Sequence, residues 1–98
     1  MGNIRVLLVD DHTLVRAGLR LLLESCGDIQ VVGEAADGFE AIGKAKELSP
    51  DVILMDITMP KFNGLDAARQ IRKKDSRVKL LFLTMHEGEE YFFQALRV

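Results

Sequence analysis

Only one cysteine, Cys26, occurs in the 98 residues, so no disulfide can form within the chain. With no Cys or His beside it, that thiol does not suggest zinc, and a lone free thiol suits a reducing compartment. Charge of one sign is also missing. Thirteen Lys and Arg against fifteen Asp and Glu leave a formal net charge of −2, which offers no basic field for nucleic acid and no acidic tail. No apolar run approaches the roughly 20 residues of a bilayer span. The opening "MGNIRVLLVDD" lacks the long apolar region and cleavage site of a signal peptide. Repeats, linkers and low-complexity segments are absent as well. These absences leave the expectation of one small cytoplasmic domain with no membrane partner, since 98 residues suffice for one core and not two.

What is present alternates. "NIRVLLVD" (3–10) is a continuous apolar run of strand length, the pattern of a strand covered on both faces. "HTLVRAGLRLLLESCG" then changes period, with Leu14, Val15, Gly18, Leu19, Leu22 and Leu23 forming one helical stripe. Thr13 is its expected N-cap and Gly27 its stop. "IQVVGEA" (29–35) reads as a second strand, and "ADGFEAIGKAKELSP" as a second helix with Asp37 near its start and Pro50 beyond its end. "DVILMD" (51–56) is a third buried strand. The loop "ITMPKFNG" and the helix "LDAARQIRKK" follow it. "VKLLFLT" (78–84) is a fourth strand, and "GEEYFFQALRV" is expected to begin a fourth helix.

Strand and helix in alternation predict an α/β fold with a parallel sheet. Right-handed crossovers bring the carboxyl ends of all strands to one rim, where ligands of open α/β sheets bind. That rim carries Asp10 and Asp11 from the first strand, Asp56 from the third and Thr84 from the fourth. Three acids at close range repel, and a hard divalent cation relieves the repulsion. Mg²⁺ prefers a few carboxylates together with waters and phosphate oxygens. No His or Cys stands in this set, which disfavours zinc and copper. His12 and His86 read as loop residues beside the site. An aspartate next to such an ion can attack phosphorus and form an aspartyl phosphate, and a threonine hydroxyl can then donate to a phosphoryl oxygen.

These stretches resemble the receiver domain of two-component response regulators across the entire chain. "VLLVDDHTLVRAGLRLLLE", "VVGEAADGFEA" and "DVILMDITMPKFNGLDAARQIR" resemble the NarL/FixJ subfamily, whose members end in a LuxR-type helix-turn-helix. The resemblance implies a flavodoxin-like (CheY-like) doubly wound sheet of strand order 2-1-3-4. It implies that Asp56 is the phosphoacceptor and that Asp10, Asp11, Asp56 and the backbone carbonyl of Thr58 hold Mg²⁺. Thr84 would be the switch residue, and a sensor histidine kinase the partner. Such a protein catalyses phosphoryl transfer to its own aspartate without being a conventional enzyme.

Receivers have five strands and five helices in roughly 120 residues. Residues 1–98 are therefore expected to be a receiver domain incomplete at its C-terminus. Its fifth strand, with the family's lysine, and its fifth helix are missing. Loss of that strand predicts "KLLFLT" as a bare apolar edge, and with it a homodimer or domain-swapped oligomer. DNA contact would require the absent helix-turn-helix domain. Two other functions compete. A haloacid dehalogenase-type phosphohydrolase also uses an aspartate after a buried strand, but it carries D-x-D where this chain reads "DIT" (56–58). A phosphorylation-impaired interaction module would use the same fold without the chemistry.

Overall fold

The computed structural model describes residues 3–56, 64–86 and 90–95. The elements run in the order β1 (Ile4–Val9), α1 (Thr13–Glu24), β2 (Ile29–Ala35), α2 (Gly38–Leu48), β3 (Val52–Asp56), α3 (Gly64–Lys74), β4 (Lys79–His86) and β5 (Glu90–Ala95). The sheet order is β2-β1-β3-β4-β5. The first four strands are mutually parallel in the expected order 2-1-3-4.

Both faces of the sheet are covered, and the period-two alternation of each strand divides its residues between them. Leu7 and Val9, Ile53 and Met55, and Leu80 and Phe82 point to one side. There they join Ala41 of α2 and Ala67, Ala68 and Ile71 of α3 in the larger core. Val6, Leu8, Leu54 and Leu83 point to the other side, against Val15, Leu19 and Leu23 of α1. The alanines set the closeness of α2 and α3, because a helix that presents Ala to a sheet can approach it more nearly than one presenting Leu. At the β-bulge in the β1–β2 pairing, a Cβ on Gly33 would stand 2.6 Å from Leu48 Cδ1, so a bare backbone lets α2 close onto β2.

Helix ends obey local chemistry. The Asp37 side chain accepts from Glu40 N at 2.9 Å, and the Glu40 carboxylate returns to accept from Ala36 N at 2.6 Å. This reciprocal cap satisfies two donors at the start of α2. Ser49 ends α2 in the left-handed conformation, φ 48°, one residue before Pro50. At α1 the expectation fails. The N-cap is His12, with no side-chain capping bond, and Thr13 is already helical. Gly27 likewise falls past Ser25, the observed C-cap. The apolar stripe of α1 also exceeds what the sheet covers, since Leu14 is 85% exposed and Leu22 67%.

The largest departure from expectation lies in the last described segment. Glu90–Ala95 is not a helix but a strand, antiparallel to β4, with rungs running from His86↔Glu90 to Leu81↔Ala95. The β4 edge, expected to be bare, therefore has its backbone groups paired. Two physical effects favour this outcome. Tyr91, Phe92 and Phe93 are aromatic residues suited to a pleated ladder, and an open edge offers a row of unpaired N–H and C=O groups to complete. Among the described residues no helix is long and apolar enough to cross a membrane.

Candidate functional site: a carboxylate cluster at the strand ends

In the order β2-β1-β3, the chain leaves β1 to one side and returns to the other, so the order of winding reverses between β1 and β3 while the strands stay parallel. The β1–β3 register pairs Val9 with Met55. The next residue of each strand is an aspartate, which brings Asp10 beside Asp56. Asp11 comes next, in the turn leading to α1. One ligand atom each from Asp10, Asp11, His12 and Asp56 lies within 4.8 Å of the others. Three of the four rim residues expected from the sequence thus converge. The fourth, Thr84, lies in β4 one residue beyond Leu83, the rung partner of Asp56, and its side chain is outside the described residues. Thr58 lies outside the described residues altogether.

His12 is the member that sequence reasoning left out, on the ground that no histidine stood in the set. A local turn brings it in. The Asp10 carboxylate accepts from His12 N at 2.7 Å, a side chain-to-backbone bond two residues along. That bond folds the turn back so that His12 Nδ1 stands 3.2 Å from Asp10 Oδ1 and 3.0 Å from Asp11 Oδ1. His86, also expected in a loop, is the last residue of β4.

Electrostatically the cluster is unbalanced. Asp10 is 3% exposed, and burial pushes its carboxyl above the ordinary carboxylate range, with the charge of Asp56 adding to the push. The backbone N–H of His12 opposes it. Hydrogen bonding to Asp10 and the charge of Asp11 raise the His12 imidazole in turn. Asp11 Oδ1 is buried without a hydrogen bond, and its near neighbour is His12 Nδ1 at 3.0 Å, an ion-pair partner when the imidazole is protonated. A buried carboxylate oxygen without a donor is costly. A divalent cation would satisfy that oxygen and neutralise the neighbouring acids together. An all-oxygen set of three carboxylates fits Mg²⁺ by charge and hardness.

The turn is braced from behind, by residues that periodicity did not single out. Arg16 Nη1 donates to the Asp10 carbonyl at 2.5 Å, while its Nε donates to Glu34 Oε1 of β2 at 2.9 Å. Arg20 Nη1 holds the other Glu34 oxygen at 2.7 Å. The Arg20 and Arg16 guanidiniums hold the Glu34 carboxyl below the usual range, Arg20 contributing most. A carboxylate depressed in the folded state stabilises it above the ordinary carboxylate pKa, and that contribution is lost as pH falls through the folded value. Glu34→Gln should therefore cost about 1 kcal/mol at neutral pH, with the deficit vanishing as pH is lowered below that of an ordinary glutamate. Urea unfolding of both proteins at pH 7 and pH 3 checks this, and an equal deficit at both would exclude the ion-pair origin.

Comparison with known proteins agrees with this geometry. A family profile described as response regulator receiver domain matches residues 6–98. The chain is 47% identical over 94 residues to the response regulator protein VraR of Staphylococcus aureus, covering 96% of this chain and 45% of that protein. It thus spans about half the length of the curated relatives it matches. A LuxR-family two-component response regulator from Aurantimonas sp. SI85-9A1 superimposes with a TM-score of 0.83 at 43% identity, covering 88% of this chain and 61% of that one. The receiver domain of NarL from Mycobacterium tuberculosis does so at 0.82 and 36% identity, covering 89% and 70%. Parallel strands in the order 2-1-3-4, an acid cluster at their switch point and these likenesses agree: the chain belongs to the response regulator receiver domain family.

Proposed function

We propose that the chain is the phosphorylation-dependent switch of a two-component system. Asp56 accepts a phosphoryl group from a sensor histidine kinase. Asp10, Asp11, Asp56 and the backbone carbonyl of Thr58 hold Mg²⁺, and Thr84 responds to the modified Asp56. The observation that carries this reading is the meeting of Asp10, Asp11 and Asp56 at the switch point, with a buried Asp11 oxygen that lacks a hydrogen bond.

In the proposed transfer an Asp56 carboxylate oxygen attacks phosphorus, a P–O bond forms, the P–N bond to the kinase histidine breaks, and the imidazole leaves as it takes up a proton. When bound, Mg²⁺ neutralises the charge that spreads over the phosphoryl oxygens. Asp10 and Asp11 anchor that cation beside the acceptor. Arg16, clamped by Glu34, holds the backbone of Asp10 in place. The Thr84 hydroxyl donates to a phosphoryl oxygen and draws the end of β4 toward the modified aspartate.

The same reading makes the chain a cytoplasmic receiver that modifies itself rather than turning over a substrate. Residues 1–98 would be a C-terminally incomplete receiver domain, with DNA contact belonging to a separate LuxR-type helix-turn-helix domain. Self-association, if it accompanies the switch, would use the exposed Leu14, Leu21 and Leu22 of α1 rather than the β4 edge, which β5 covers.

Intact-mass measurement after incubation with Mg²⁺ and acetyl phosphate tests the proposal. One added phosphoryl group, lost when EDTA removes the metal, is expected. No gain from a folded sample would reject the phosphoacceptor reading and leave an interaction module.

A further inference from the structure

We infer that the cavity between the C-terminal ends of α2 and α3 binds a small organic anion, a carboxylate carried on a short aliphatic body. Residues just before β3 and just before β4 line it, so it lies at the amino ends of the strands. The acid cluster occupies the opposite end of the sheet, and the cavity owes nothing to the phosphoryl chemistry.

The cavity has an apolar part and a charged part. Its volume is about 400 Å³, within the range that holds small ligands. Ile71 and Val78, 4% and 2% exposed, form the apolar wall with the half-buried Ile42 and Ala45. Lys46, Lys74 and Arg77 line the charged part with Asp75, three cations against one acid. Asp75 is engaged with Arg77, accepting from its backbone N–H at 3.0 Å and standing 3.7 Å from its Nε. Among the described residues neither Lys46 nor Lys74 has an ion-pair partner.

Both lysines stand in the last turns of their helices, where a cation often serves the terminal carbonyls. Here other groups serve several of those carbonyls. Ser49 N donates to Ala45 O at 3.0 Å, and Asp75 N to Ile71 O at 2.9 Å. Just beyond the helices, Arg5 Nη1 donates to Ser49 O at 2.8 Å and Arg72 Nη1 to Ser76 O at 2.9 Å. The two ammonium groups are thus left for a ligand. A carboxylate that accepts from them gains charge-assisted hydrogen bonds, while its aliphatic body rests on the apolar wall. The negative ends of two helix dipoles oppose a bare inorganic anion at this place, so the apolar body is part of the recognition.

The test titrates the full 98-residue chain with octanoate, and with octanamide as its neutral counterpart, following backbone amides by ¹H–¹⁵N correlation spectra. Saturable shifts at Ile42, Ala45, Ile71 and Val78 are expected with octanoate, and binding about tenfold weaker with octanamide. The double variant Lys46→Gln, Lys74→Gln changes two exposed side chains and should bring octanoate down to the affinity of octanamide. Equal affinity of the parent chain for the two probes would overturn the inference. So would an octanoate affinity unchanged in the double variant, no saturable shift, or shifts confined to the exposed Leu14, Leu21 and Leu22 of α1.

Discussion

Asp56→Asn is expected to leave a folded chain that takes up no phosphoryl group. Asparagine has the size of aspartate and keeps one carbonyl oxygen, so the half-buried end of β3 needs no repacking. The amide, however, has no anionic oxygen to attack phosphorus. Removing a nucleophile outright costs more than about 10³-fold in rate, beyond what residual positioning recovers. The substitution also takes one negative charge from beside the buried Asp10, so thermal stability should hold or rise. Intact mass with Mg²⁺ and acetyl phosphate, beside circular dichroism, decides the matter. A folded Asp56→Asn chain that still gains one phosphoryl group would place the acceptor elsewhere in the cluster.

Phe82→Ala carries the largest expected loss of stability, about 3–5 kcal/mol. Phe82 is fully buried and is the rung partner of Met55 in the larger core. To the same core α2 and α3 contribute Ala41, Ala67 and Ala68, side chains too short to lean into the space a ring would leave. A cavity that cannot collapse sits at the upper end of the range. Set against a total of about 5–15 kcal/mol for a domain, the variant should be largely unfolded at modest urea concentrations. Leu81→Ala, half-buried against the smaller core on the opposite face, should cost clearly less. Denaturation at 25 °C gives both values, and equal losses would mean that the two faces are packed alike.

Four strands, three helices and the Asp10–Asp11–Asp56 cluster were legible in the sequence because each rests on a pattern that only one geometry satisfies. A both-faces-apolar run such as "VLLV" suits a central parallel strand, and strands that share a direction must share a rim. Asp37 as a helix start was readable for the same reason, since its side chain has a donor to meet three residues on. Two features were not readable. Whether "EYFFQA" becomes helix or strand depends on whether β4 has a free edge to offer, which is a property of the sheet and not of those six residues. His12 entered the cluster through one side chain-to-backbone bond to Asp10, a turn that leaves no periodic trace. Arg16 and Glu34 are hidden similarly, because their meeting requires the α1–β2 packing to exist first.

The central seat of β1 has a consequence for the order of synthesis. The strand made first is flanked on both sides by strands made later, and its second neighbour, β3, ends at Asp56. A nascent chain therefore carries Asp10 and Asp11 for roughly 2–9 s at ribosomal speed before the strand that completes the pairing of β1 emerges. The same five residues, Val52–Asp56, complete the central pairing and deliver the last carboxylate, so the chain acquires its third negative charge at the rim only as its core becomes able to hold it.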